Sequence, residues 1–302
     1  MTKGLISIFA MPQEIDDLHI TLYNLKRNMA MVPHDISMDL DLTFCMSSEL
    51  TEWDKTTLPQ QYFIDKFNAL SELWDWSKSP RIRVEFDQTI LGCVSQRRLS
   101  LDRINEYDFT IWLDCDMFFA DTTILYLASS YKAAKASGYN NFIVTPQFVR
   151  QWDNSWDAIV NEQYTNHKLM YHEEADIISD ALYNYGDTLL TPIKGFKFAG
   201  GWCTLLSNDL LNLIGVPYSL GHYGLEDTFI VTVCDILRKV NHASAPQQFV
   251  ITNHVVGENY KYRARSHLLG AVYCTGKKEQ FREVAARNFS EEVQRVIKRL
   301  TS

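Results

Sequence analysis

Tyr107-Asp108-Phe109-Thr110-Ile111-Trp112-Leu113-Asp114-Cys115-Asp116-Met117-Phe118-Phe119 decides how the rest of the chain is read. Phe109 to Leu113 is a compact run of aromatic, β-branched and aliphatic residues, the composition of a buried strand. It ends on two carboxylates, Asp114 and Asp116, separated by one residue. In open α/β sheets, ligands bind outside the carboxyl ends of the strands. Two neighbouring carboxylates at such a place repel each other unless a cation lies between them or a proton is taken up. A divalent ion relieves the repulsion. Oxygen ligands favour Mg2+ or Mn2+, and an added imidazole tilts the choice to Mn2+. The plain alternative is a polar turn after a strand. Another is a phosphatase whose nucleophilic Asp opens a D-x-D. Such motifs follow a first strand, whereas this one comes after more than a hundred residues, with no later Gly-Asp-x-x-x-Asp.

Working back from that segment, Leu5 to Phe9 reads as a first strand bounded by Gly4 and Pro12. Ile15, Leu18, Leu22, Leu25 and Met29 then recur at helical spacing. Ile36 to Met46 alternates apolar and polar residues and reads as a second strand. The chain therefore opens strand–helix–strand, the start of an α/β domain. Leu70, Leu73 and Trp74 suggest a helix, and Arg81 to Phe86 a short strand. Leu91 to Ile104 has the spacing of a helix leading into the strand of the acidic pair. Beyond the pair, Asp121 is a candidate N-cap for a helix from Thr122 to about Ala136, and Phe142 to Thr145 reads as a strand.

From 147 to 192 no period is clean, and tryptophans and tyrosines are interspersed with acids and amides. Trp152 and Trp156, four residues apart, suit either a ligand wall or a core helix face. Phe196 to Leu206 is rich in glycine, aromatics and β-formers. Asp227 to Val240 is helical, Phe249 to Val256 is a late strand, and Ser290 to about Leu300 is a last helix. Asn288 and Glu291 resemble a capping box for it.

The chain has 302 residues, 46% of them hydrophobic and 22% charged, so it can bury a core and is not disordered as a whole. Its net charge of −8 argues against a protein that coats DNA, and nucleic-acid binding is not expected. The six cysteines, Cys45, Cys93, Cys115, Cys203, Cys234 and Cys274, form no C-x-x-C pair, and buried thiols in a reducing compartment are expected. No stretch approaches a membrane span, so the expected location is the cytoplasm.

Three further segments carry polar groups in unusual settings. Phe196-Lys-Phe-Ala-Gly200-Gly201-Trp202 pairs two glycines, which allow a close backbone approach, with an indole able to stack on a flat ligand; a strand bulge with a core tryptophan is the alternative. Gly221-His-Tyr-Gly224-Leu-Glu226-Asp227 delivers two acids to the start of an apolar helix. The macrodipole stabilises carboxylates there, which describes ordinary capping and also suits a general base, which must be ionised. His254 stands near the end of a strand. The basic and aromatic run from Tyr260 to Arg265 is either a solvated face or a diphosphate site.

Together, in this order, these features resemble glycosyltransferases of the GT-A fold over roughly residues 3–262. The resemblance implies an α/β, Rossmann-like, mixed but mostly parallel sheet flanked by helices. It implies a single domain over 1–302, with a nucleotide-sugar half at 1–146, an acceptor and catalytic half at 147–262, and a C-terminal helical extension at 263–302. Asp116, Asp114 and His254 would hold Mn2+ or Mg2+. Phe9, Ala10 and Pro12 would flank the nucleobase. Arg97 or Arg98 would reach the donor, and Lys261 and Arg263 would neutralise its diphosphate. Gly200, Gly201 and Trp202 would shape the acceptor site. Asp227 would be the catalytic base, with Glu226 on the acceptor.

What the resemblance implies for function is transfer of a sugar from a nucleotide-sugar donor to the hydroxyl of a carbohydrate or glycoconjugate acceptor. A single base opposite the leaving group means inversion. Two other classes compete. One is another metal-dependent nucleotide or phosphate enzyme, such as a nucleotidyltransferase or phosphatase. A nucleotidyltransferase would place a basic, glycine-rich loop after the first strand, where this chain has Ala10-Met-Pro-Gln-Glu. The other is a catalytically silent binding module of the same fold.

Overall fold

The computed structural model describes residues 1–10, 14–45, 60–73, 82–87, 92–119, 122–152, 191–192, 203–240, 249–262 and 275–302. The chain opens with β1 (Thr2–Ala10), α1 (Ile15–Met29), β2 (Ile36–Cys45), α2 (Gln60–Leu73), β3 (Ile82–Asp87), α3 (Cys93–Leu101) and β4 (Phe109–Asp114). These strands pair in parallel in the spatial order β3-β2-β1-β4. The chain builds outward from β1 on one side, then returns to add β4 on the other. The strand order therefore reverses between β1 and β4, the place where open α/β sheets form a ligand crevice.

The remaining elements extend the sheet beyond β4. They are β5 (Met117–Phe119), α4 (Thr123–Ala136), β6 (Asn141–Trp152), β7 (Thr191–Pro192), β8 (Cys203–Ser207), α5 (Asn208–Ile214), α6 (Glu226–Val240), β9 (Phe249–Tyr262) and α7 (Thr275–Thr301). β8 runs antiparallel to β4 and β6, β6 runs parallel to β9, and β5 and β7 pair antiparallel with β9. The result is an α/β fold with a mixed sheet flanked by helices.

Both faces of the central strands are covered, which is why β4 reads as a near-continuous apolar run. Side chains alternate across a strand. Phe109, Ile111 and Leu113 enter the core shared with α1 and α4, while Trp112 enters a second core shared with α5, α6 and α7. Asp121, the candidate N-cap of α4, lies outside the described residues; the amide of Ile124, in the first turn of α4, donates to Asn28 Oδ1 on α1 at 3.0 Å. At the last helix the boundary differs from the sequence expectation. The last helix starts at Thr275, not Ser290, so Asn288 and Glu291 sit inside it and form no capping box. Asn288 Nδ2 donates to the Ser219 carbonyl at 2.7 Å, and Glu291 pairs with Arg295 at 3.0 Å. The apolar stripe of α7, including Ala285, Val293 and Val296, belongs to the second core.

Three other elements differ in extent. The helix expected over 91–104 spans only Cys93–Leu101, followed by a single 3-10 turn at Ile104–Glu106. Asn208 fixes that tightening: its Nδ2 donates to the carbonyls of Ile104 and Tyr107, and its Oδ1 accepts from Thr110 Oγ1. β6 and β9 run on to Trp152 and Tyr262, well past the expected ends at Thr145 and Val256. Their pairing shifts register between Pro146 and Phe148, so a break in periodicity hides their continuation.

Candidate active site

The carboxyl end of β4 lies beside that of β1, with Asp114 opposite Phe9 in the ladder. Phe9 is half-buried and Ala10 is buried. The turn from Asp114 to Met117 is held from α1. Thr21, fully buried, directs its hydroxyl at the carbonyls of Cys115 (2.7 Å) and Met117 (2.9 Å) and accepts from the Met117 amide at 3.0 Å. One hydroxyl thus fixes the backbone on both sides of Asp116, whose side chain is buried. Cys115 Sγ donates to Glu14 Oε2 at 3.3 Å.

Arg97, on α3, reaches both acidic motifs. Its Nη2 lies 3.3 Å from Asp114 Oδ1, and its Nη1 forms an ion pair with Glu226 Oε1 at the first position of α6. Its guanidinium carbon stands 4.6 Å from the centre of the Trp112 ring, an additional cation–π contact. Burial alone would lower the Arg97 pKa, but the charges of Glu226 and Asp114 outweigh that and raise it, so the guanidinium stays charged. Glu226 has the opposite problem. Burial pushes its carboxyl above the ordinary value, Arg97 opposes that, and Asp227 reinforces it. Asp227 is half-buried, and its Oδ1 accepts from the Thr228 amide at 2.6 Å.

The loop before α6 is shaped by unusual backbone. Gly221, Gly224 and Leu225 all have positive φ, and for Leu225, at 68°, that is a costly conformation. α3 holds the loop in place. The Val94 amide donates to the His222 carbonyl at 3.1 Å, and Ser95 Oγ lies 2.7 Å from His222 Nδ1. Arg98 Nη2 donates to the Gly221 carbonyl, and its guanidinium lies 4.8 Å from the centre of the Tyr218 ring. Gly92 makes this approach possible, because a Cβ there would lie 2.2 Å from the His222 carbonyl oxygen.

The structure therefore joins Asp114, Arg97 and Glu226 directly, with Asp116 and Asp227 adjoining them in the chain. Arg98 faces Gly221 and Tyr218. His254 is in β9, opposite Pro146. The Lys261 backbone pairs with Met117, next to Asp116. The side chains of His254 and Lys261 lie outside the described set, as do residues Pro12, Trp156, Gly200, Gly201, Trp202 and Arg263.

Asp114 and Asp116 supply hard oxygen donors suited to Mg2+ or Mn2+. Among the described residues, however, no group of three or more His, Cys, Asp or Glu side chains could hold a metal ion. A fuller ligand set needs a side chain beyond them, as at His254. Among the described residues, burial makes Cys93, Cys203 and Cys234 poor nucleophiles. Cys93, Cys115, Cys203 and Cys234 are free thiols, and burial pushes Cys203 up to about 12 and raises Cys93 and Cys234 as well.

Thr21 and Glu14 are site-building residues that motif reasoning did not single out. Thr21 leaves a signal all the same: it is a polar residue between Leu18, Leu22 and Leu25 on the buried face of α1. Among the described residues no helix is long and apolar enough to cross a membrane.

No family model and no curated protein sequence matches the chain. Among solved structures, it is similar to S. aureus TarS 1-349 at 13% identity, covering 96% of this chain and 72% of that one, with a TM-score of 0.49. GalNAc-T7 with UDP, GalNAc and Mn2+ gives 11% identity, coverage of 88% and 45%, and a TM-score of 0.49. The mannosyltransferase PcManGT from Pyrobaculum calidifontis, in complex with GDP-Man and Mn2+, gives 11% identity, coverage of 98% and 72%, and a TM-score of 0.46.

Proposed function

We propose that the protein is a glycosyltransferase that moves a sugar from a nucleoside-diphosphate sugar to an acceptor hydroxyl, with inversion at the anomeric carbon. One observation carries the reading: the D-x-D strand end, at the point where the strand order reverses, is joined through Arg97 to the acidic pair that opens α6. One carboxylate from each of two acidic pairs far apart in the chain thus shares one buried cation, an arrangement that a polar turn or an ordinary helix cap does not require.

In this reading Asp227 is the catalytic base. Of the two acids opening α6, it is the more accessible, and Glu226 is buried against Arg97. Asp227 takes the acceptor proton as the acceptor oxygen bonds to the anomeric carbon, and the bond from that carbon to the diphosphate oxygen breaks with its electron pair going to the diphosphate. Phe9, Ala10 and Pro12 flank the nucleobase. Lys261 and Arg263 are assigned to the diphosphate, and Gly200, Gly201 and Trp202 to the acceptor side. Asp116, Asp114 and His254 are the residues that would hold Mn2+ or Mg2+; when bound, such an ion neutralises charge growing on the leaving diphosphate. Arg97 acts in this reading between Asp114 and Glu226, which engage its guanidinium, and Arg98, which donates to the Gly221 carbonyl and lies over the Tyr218 ring, is kept as a donor contact.

A thermal-shift screen tests the reading. UDP, GDP and the deoxythymidine diphosphate are each measured with and without Mn2+. One nucleotide together with Mn2+ is expected to raise the melting temperature more than the sum of the two alone. Absence of synergy with all three overturns the proposal.

A further inference from the structure

We propose that Arg97 is a positioning residue: its single guanidinium joins Asp114, at the end of β4, to Glu226, at the start of α6, and so sets where Asp227 stands relative to the D-x-D turn. The inference rests on the glycosyl-transfer reading for its catalytic consequence, but its geometry does not depend on that reading.

Three observations support it. First, Arg97 is only 5% exposed, and its two terminal nitrogens are directed to different acids on different elements. A planar fork can make both contacts at once, whereas an ammonium is a point charge on a flexible stem. Second, Trp112, which packs beside the guanidinium, belongs to the strand that ends at Asp114, so the plane of the fork is referred to β4 itself. Third, the start of α6 is held from outside its own helix. It follows a loop with positive φ at Gly221, Gly224 and Leu225, and α3 pins that loop through Val94, Ser95 and Arg98. Arg97 sits on the same helix and links that platform to β4. Cys93 Sγ, one turn earlier on α3, also donates to Glu226 Oε1 at 3.6 Å.

The test compares Arg97→Lys and Glu226→Gln with wild type by two independent readouts. Hydrogen exchange, measured without ligand, follows the backbone of 114–119 and 222–230. Each variant is expected to speed exchange in both segments, although each substitution lies outside at least one of them. Steady-state kinetics, with whichever nucleotide sugar the wild type uses, is expected to show kcat reduced about 100-fold by misplacement of the base. Donor KM is expected to stay within about threefold, since no ground-state donor contact is removed. Faster exchange confined to one segment overturns the proposal. So does a large rise in donor KM with kcat retained, which would make Arg97 a donor ligand. If wild type binds no nucleotide and turns over no donor, the glycosyl-transfer reading fails, while the exchange experiment still decides the linkage.

Discussion

Arg97 and Glu226 stand 129 residues apart in the chain, yet they form an ion pair whose side chains are only 6% and 3% exposed. A buried pair of this kind is a weak source of net stability, because both charges lose their hydration. Breaking it is a different matter. Arg97→Met leaves Glu226 buried without its cation and is expected to cost about 3–5 kcal/mol at neutral pH. Arg97→Met with Glu226→Met replaces both charges by apolar groups and should recover most of that loss. Urea titrations of the three proteins check this, and a single substitution costing under about 1 kcal/mol would show that the pair does not form in solution.

Thr21 gives a prediction at the D-x-D turn. Thr21→Val keeps the shape but removes the hydroxyl shared by Cys115 and Met117, leaving the buried Met117 amide without that acceptor. The expected loss is about 1–3 kcal/mol, with a weaker Mn2+-dependent nucleotide response. Thr21→Ser retains the oxygen and should retain that response. Loss of it in the Ser variant with retention in the Val variant would show that the methyl, not the hydroxyl, matters.

The parallel half of the fold was legible because its signals are local. β1, α1, β2 and β4 announce themselves through period, and the acids at 114 and 116 through their place after a buried strand. The join between Arg97 and Glu226 was not legible, since no sequence period links residues that meet only when α3 and α6 converge. The sequence offers Arg97 as a donor contact, and its contacts to Asp114 and Glu226 appear only in the folded chain. The sequence signals a shorter α7 for a related reason. Its polar N-terminal turns, Thr275 to Gln280, lack an apolar stripe, while Asn288 and Glu291 imitate a cap in mid-helix. The sequence signal for β6 and β9 stops where their register slips near Pro146, which ends the alternation without ending the pairing.

Asp235 sets a pH dependence remote from the site. Burial alone would raise its pKa, but hydrogen bonds from Lys239 and Arg238 outweigh that and hold it below the ordinary value. The ion-pair distances are 2.6 and 2.7 Å. With a depressed pKa, the folded state takes up this proton less readily than the unfolded chain. Its stabilising effect is therefore complete above about pH 4 and is lost as pH falls through the folded-state value. Asp235→Asn is expected to cost about 1–2 kcal/mol at pH 7, a modest figure because Lys239 is largely solvated. The gap between variant and wild type should narrow below about pH 4. Chemical denaturation at several pH values measures it, and a gap that widens in acid contradicts the assignment.

Asp227 and Glu226 are neighbours with different surroundings, and the base assignment follows from that difference. Glu226 is 2% exposed and engaged by Arg97, so an acceptor hydroxyl cannot approach it without breaking the pair. Asp227 is half-buried beside it. Asp227→Asn preserves size and the local hydrogen bond from the Thr228 amide, and removes the carboxylate. It should leave the nucleotide-dependent thermal shift intact while lowering kcat about 100- to 10,000-fold. Glu226→Gln should instead disturb the backbone at the start of α6, as its role in positioning requires. The product's stereochemistry supplies a separate check. A lone base on the face opposite the diphosphate admits only direct displacement, so NMR of the newly formed glycoside must show the anomeric configuration reversed relative to the donor. Retained configuration would require a nucleophile or an internal-return path that Asp227 does not provide, and the single-base mechanism would have to be abandoned even if Asp227→Asn were inactive.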